Sequence, residues 1–369
     1  MKKLLIGVSA AALFAAPAFA QDNTSAVTQN GSANQATVSQ TGSNGDSDVQ
    51  QLGSNAKATV DQSGATDTSK IVQQDDAGGT ATVTQEGDNN DSLVEQTSVN
   101  SVAEISQTGD GNKSSLSQGR TAGTAFQTNS QQALVVQSGG QNVSNATQSG
   151  SSGDLNVLQS GSRNHSDVVQ SGFDNSAGDN LGMVGVNQAG SDNQSFVTQS
   201  GQLSDAFVDQ IGDANLATIN QSVPNDPNPV GGTDPRVATA SITQGGSSNV
   251  STINQTRVAP NSGRLMEAHS DQAGSSNTSL ITQTNSGVAG DSSGNFADVS
   301  QGGDLNGSTL FQDGALNSAT VSQGGSGNAS DLSQIGTSNT ATVTQSTDGN
   351  ISNVTQNGNG NSATVTQGN

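Results

Sequence analysis

The chain is 369 residues long, carries 10 Lys and Arg against 31 Asp and Glu for a net charge of −21, and contains no Cys, Trp or Tyr. That acid excess argues against nucleic acid and anionic lipid as partners, and the lack of cysteine excludes a disulfide framework. A hydrophobic content of 29% is low for a globular core and, taken alone, would suggest disorder.

Residues 1–20 read as an export signal: Lys2 and Lys3, an apolar run from Leu4 to Phe14, then Ala18-Phe19-Ala20 in the small-x-small form that a signal peptidase cuts. The run is shorter than the roughly 20 apolar residues a membrane span needs. The mature chain is therefore expected to start at Gln21, to be secreted, and to consist of one repeat array over 21–369. Without Lys2 and Lys3, 8 basic residues stand against 31 acidic ones, a net −23.

Gln recurs every eleven residues in long runs, at 29, 40, 51 and 62, at 85, 96, 107 and 118, and from 301 through 367. Bridging glutamines such as Gln73, Gln137, Gln188, Gln210 and Gln244 bring the total to 28 units spanning Asn23 to Gln367. Val, Ile or Leu lies two residues before Gln in 26 of the 28, a small residue lies four before, and Asn often lies six before. The unit is N-x-[S/A]-x-V-x-Q followed by a four-residue x-G-x-x turn, as in Asn34-Gln35-Ala36-Thr37-Val38-Ser39-Gln40 and Thr41-Gly42-Ser43-Asn44. Its period of two is that of a strand and excludes helix.

The units alternate in kind. The small residue is Ser in 13 of 14 odd units and Ala in 12 of 14 even ones, with Leu155 and Val184 as the even exceptions, so the full repeat is two strands. Longer insertions occur at Gly119 to Phe126 and after Gln170, Gln221, Gln255 and Gln283, each following an odd unit. The expected fold is all-β: a two-strands-per-coil β-solenoid or cross-β stack of about 14 coils, with in-register parallel stacking and the loops on one edge.

In such a stack Gln lies over Gln and Asn over Asn, forming amide ladders along the axis, while Val and Ala interdigitate between the sheets. The candidate ladder residues include Gln29, Asn34, Gln40, Gln107, Asn112, Gln118, Asn215, Gln221, Asn339, Gln345, Asn361 and Gln367. Turn glycines such as Gly31, Gly42, Gly109 and Gly212 supply positive φ or a close backbone approach. Asp88 and Asp110 beside them are ordinary turn formers, since the nonapeptide spacing of calcium-binding β-rolls is absent. Neither a cofactor nor a metal site is expected. The terminal units carry no polar cap, and an uncapped strand edge is a template for another copy. Outward Asp48, Asp61 and Asp209 would oppose lateral sticking.

These repeats resemble the curlin repeats of curli, the adhesive amyloid fibres of bacterial surfaces. That family's pattern is S-x5-Q-x-G-x-G-N-x-A-x3-Q, and Ser101-x5-Gln107-x-Gly109-x-Gly111-Asn112-x-Ser114-x3-Gln118 follows it; Ser204 to Gln221 repeats it with Asn215 and Ala217. The resemblance implies an extracellular amyloid subunit exported through an outer-membrane pore, polymerising with itself and meeting a nucleator or other curlin-like subunit. It also places stacking roles on Gln107, Asn112 and Gln118.

An enzyme is the weakest alternative: the only histidines, His165 and His269, lie within repeats, and no carboxylates cluster beyond turn and surface Asp. The segment Pro224-Asn225-Asp226-Pro227-Asn228-Pro229 reads as a stiff surface excursion. A monomeric solenoid adhesin using its loops is a rival. So is an ice- or surface-binding solenoid using the outward pairs Thr82 and Thr84, Thr342 and Thr344, and Thr364 and Thr366, although Glu104, Ser106, Leu134 and Val136 interrupt that array.

Overall fold

A computed structural model describes residues 22–74, 78–119, 131–151, 153–173, 176–177, 185–224, 238–258, 266–286 and 294–368. The proposed signal at 1–20 and Pro224-to-Pro229, except Pro224 itself, lie outside them.

Strands alternate between two sheets. One has fourteen strands, from Thr24–Gln29 to Ile351–Asn359, and takes every odd unit; the other has fifteen, from Gln35–Gln40 to Ser362–Gln367, and takes the even ones. All pairings are parallel and in register: Ser25 aligns with Ser47, Val27 with Val49 and Gln29 with Gln51, and the same holds at the far end for Ala341 with Ala363 and Gln345 with Gln367. The chain thus climbs one rung after every two strands, as a two-strand solenoid requires.

The alternation of side chains decides which face is inside. In Lys57–Ser63, Ala58, Val60 and Gln62 are buried while Lys57, Asp61 and Ser63 are exposed. The inward aliphatics of both sheets form one continuous core from Val49 to Val354. Ala36, Val38, Ala363 and Val365 pack on it but remain partly open, because a terminal strand is covered on one side only. A second, small cluster of Val223, Ala238 and Met266, with Leu203 against it, sits at the odd-to-even edge.

Four of the five longer insertions leave and rejoin the stack at that edge: their flanking strands end at Gly119, Val223, Arg257 and Asn285 and resume at Gln132, Ala238, Met266 and Phe296. The fifth corrects the expected register. The turn after Gln170 is ordinary, with Gly172 aligned on Gly201, and the rung begins at Ser176–Ala177, whose Ala177 aligns with Leu155. The strand then breaks and resumes at Val186–Ser191, with Val186 on Val157 and Gln188 on Gln159. Ala177 rather than Val184 therefore takes the small position. The sequence Asn175-Ser176-Ala177 restores the repeat pattern, and the extra residues fall inside the strand rather than after its turn. Val184 itself lies outside the described residues.

Each turn has two demanding positions. The glycine two residues after Gln has φ of 128° at Gly31, 105° at Gly109 and 121° at Gly212. Gly42 needs to be glycine for a different reason: a methyl there would lie 1.4 Å from the Gly64 carbonyl oxygen of the next coil. The fourth turn residue adopts the left-handed conformation with ordinary side chains, including Asn44 at 56°, Thr66 at 64° and Leu305 at 60°. This conformation costs an L residue about 1–2 kcal/mol. Leu305 gains little in return, being 68% exposed. Leu305→Asn, a residue that tolerates this region, should raise stability by about 1 kcal/mol, measured as an upward shift in the urea midpoint.

Candidate functional site: amide ladders and open strand edges

Along the interior coils Gln is buried near the C-terminal end of its strand, so its amide must find partners without water. In the odd sheet thirteen Nε2-to-Oε1 hydrogen bonds of 2.7–3.0 Å join the glutamines from Gln29 to Gln356, each donating to the next coil. In the even sheet thirteen more, of 2.7–2.8 Å, run from Gln40 to Gln367. Gln107 accepts from Gln85 and donates to Gln137; Gln118 accepts from Gln96 and donates to Gln148.

The second Nε2 hydrogen does a different job. Gln51 donates to the Gln35 carbonyl at 3.0 Å, Gln107 to Asp91 at 3.1 Å, Gln118 to Val102 at 3.1 Å and Gln345 to Ala329 at 3.0 Å, in each case the first residue or its neighbour on the facing strand sixteen residues back. One amide therefore ties its coil to the next and its sheet to the opposite sheet. Sequence spacing revealed the first bond but not the second, since that depends on the two sheets running in opposite directions.

The Asn columns act at the turns. In the odd sheet Asn112 Oδ1 accepts from the Asn142 backbone N–H at 3.1 Å, and Asn112 Nδ2 donates to the Gly139 carbonyl at 3.0 Å, clamping the turn of the coil above. Asn215 is placed likewise, accepting from Asn249 and donating to Gly246. The even column is broken. Asn34 accepts from Ala56 N–H and donates to Gly53, after which Gly79, Ser101 and Gln131 occupy the column. A ladder resumes from Asn295 through Asn317 and Asn339 to Asn361. Asp88 and Asp110 take part as acceptors, from the Ala65 and Asp88 backbone N–H groups at 2.8 and 3.0 Å.

The Ser column of the odd sheet behaves in the opposite way. Twelve of its hydroxyls, from Ser47 to Ser352, are buried and have no hydrogen-bond partner. They are small enough to fit between facing aliphatics but lie out of reach of a carbonyl. Outward-facing side chains find partners instead: His165 lies 3.0 Å from Asp167 on its own strand and at a ring separation of 5.9 Å from Phe196 on the next rung, and His269 lies 2.8 Å from Glu267 on its own strand and at 6.2 Å from Phe296 on the next rung. The threonine pairs align in register over the last rungs, Thr320 with Thr342 and Thr364, but Leu134 and Val136 stand in the same columns lower in the stack.

At the two ends the ladders are open and polarised. No donor among the described residues reaches Oε1 of Gln29 or Gln40, while Gln356 and Gln367 have no further glutamine to donate to and spend Nε2 on the Thr340 and Ile351 carbonyls. Among the described residues the terminal strands Thr24–Gln29 and Ile351–Asn359 each pair on one side only, as do Gln35–Gln40 and Ser362–Gln367.

The two polar columns should respond oppositely to truncation. Gln107→Leu strands an acceptor on Gln137 and a donor on Gln85, and each buried orphan costs about 1–3 kcal/mol, so a loss of about 2–6 kcal/mol is expected. Ser251→Ala removes a hydroxyl that already lacks a partner and should leave stability unchanged or raise it. Urea unfolding of the two variants beside the parent checks both.

Residues 20–53, 79–119, 306–336 and 336–368 match the family described as the curlin associated repeat. No curated protein matches the chain. The matched stretches lie near both ends of the stack, and the Gln columns that define them run unbroken through the coils between. Four stretches of this solenoid, near its two ends, are thus curlin associated repeats.

Proposed function

We propose that the protein is a structural subunit of an extracellular, curli-like amyloid fibre, exported after removal of residues 1–20 and polymerising end to end to support surface adhesion and biofilm matrix. The observation that carries this reading is the match between the two open ends. The inward residues Asn23, Ser25, Val27 and Gln29 of the first odd strand are the same four types as Asn350, Ser352, Val354 and Gln356 of the last. The even strands agree as well: Asn34, Ala36, Val38 and Gln40 against Asn361, Ala363, Val365 and Gln367.

A second copy placed above Gln356 and Gln367 continues both columns without a change of partner chemistry, since its Gln29 and Gln40 offer the acceptors that the lower copy's amides lack. Such a contact is heterologous and does not close, so it propagates as a filament. The stacking residues from Gln29 to Gln367 would then hold coils together within and between copies by the same bonds. Outward carboxylates such as Asp48, Asp61 and Asp209 keep neighbouring filaments apart and direct growth to the ends. The curlin associated repeats matched in four stretches support a structural role at the cell surface and self-association. Nucleators and an outer-membrane pore are the further partners this reading calls for, and catalysis has no part in it.

Purified Gln21 to Asn369 should form seedable, thioflavin-binding fibres with reflections near 4.7 and 10 Å. Val27→Lys with Val38→Lys, which places charges on one open end alone, should abolish elongation and leave a β-rich monomer. A parent protein that stays monomeric and never seeds would contradict the fibre reading and favour a solenoid that acts singly through its edge loops.

A further inference from the structure

The odd Asn column has one acidic member. Asn23, Gly45, Asp67, Asn90 and Asn112 follow one another in it, and Asp67 is only 1% exposed. Its Oδ1 does what an Asn Oδ1 does, accepting from the Asn90 backbone N–H at 2.9 Å and from Asn90 Nδ2 at 3.2 Å. Its Oδ2 stands where the other members carry a donating amide: Asn23 donates to Gly42, Asn90 to Gly109 and Asn112 to Gly139, always the turn glycine of the coil above. For Asp67 that glycine is Gly87. A methyl built on Gly64 would meet Gly87 O at 1.6 Å and Asp67 Oδ2 at 3.1 Å, so both oxygens crowd the same point. Oδ2 is buried and has no hydrogen-bond partner.

An ionised carboxylate would set a lone pair against a carbonyl oxygen in a site closed to water, whereas a protonated one supplies the missing donor. We propose that Asp67 is held as a neutral carboxylic acid that donates its Oδ2 proton to the Gly87 carbonyl, which makes the surrounding coils a joint that tightens in acid and loosens as pH rises.

The charges acting on it point the same way. Burial pushes the Asp67 carboxyl above its ordinary 3.8, the hydrogen bonds from Asn90 oppose this, and Asp88 and Asp110 in the adjoining turns add to the rise. Asp46 and Asp91, the first residues of the flanking strands, are exposed. With the folded value above the unfolded one, the stabilisation is complete below the unfolded pKa and is lost as pH climbs through the folded one. The inference does not depend on polymerisation, because every contact lies within one chain.

The test is hydrogen exchange of the full mature chain at pH 5 and pH 8, corrected for intrinsic rates and read on peptides covering residues 64–68 and 87–91. Three proteins are compared: the parent, Asp67→Asn, which restores the residue type of the column, and Asp61→Asn, which removes an outward carboxylate. The parent should be better protected at pH 5 than at pH 8, by about a factor of ten for each unit by which the folded carboxyl titrates above 5. Asp67→Asn should be highly protected at both pH values, and Asp61→Asn should follow the parent. Parental pH dependence persisting in Asp67→Asn, a parent without pH dependence, or an Asp67 carboxyl carbon that titrates at or below 3.8 would each overturn the assignment.

Discussion

A primary amide buried near the end of each interior rung's strand has two hydrogens and an oxygen to satisfy, and no water to do it. The fold answers this by periodicity. Only an identical amide one coil away presents the acceptor at the right height, and only a facing strand of opposite direction presents a backbone carbonyl for the second hydrogen, as Gln51 finds in Gln73 and in Gln35. In-register parallel stacking, the opposed sheets and the near-constant spacing between coils all follow from that demand. Insertions are accepted wherever they leave it intact. The segment between Ala177 and Val186 interrupts a strand, yet Gln188 still accepts from Gln159 and donates to Gln210.

The aliphatic column fills the space between these ladders but does not distinguish one coil from the next. Val60, Val83 and Ile105 are all fully buried and could exchange places. Discrimination lies in the polar columns and turns, where Asn112 clamps Gly139 and where a glycine such as Gly42 allows the backbones of successive coils to approach. The unpartnered Ser hydroxyls and the left-handed Thr66 and Leu305 are costs spread thinly over a long array, tolerable because each coil is supported on both sides.

Much of this was legible in the sequence because a period of two inside a period of eleven leaves no freedom over which residues face inward. Gln107, Asn112 and Gln118 could be placed in columns from spacing alone. The interrupted strand was not legible, because Val184 keeps the count four residues before Gln188 while Ala177 keeps the chemistry, and only pairing chooses between them. The fourth turn residue escaped notice because Asn44, Thr66 and Leu305 share a backbone conformation and no side-chain property. The carboxylate in the odd Asn column lay in plain sight six residues before Gln73, but its meaning depends on knowing that an Asn there donates to a glycine carbonyl in the next coil.

The most direct test of the amide constraint is exchange of the glutamine side chains themselves. By NMR with side-chain amide labelling, both Nε2 hydrogens of interior glutamines such as Gln107 and Gln118 should be protected to the same degree as the backbone amides beside them. Exchange of either hydrogen at the rate of a solvated amide, with the backbone still protected, would mean that the stack is held by its strands and apolar core alone.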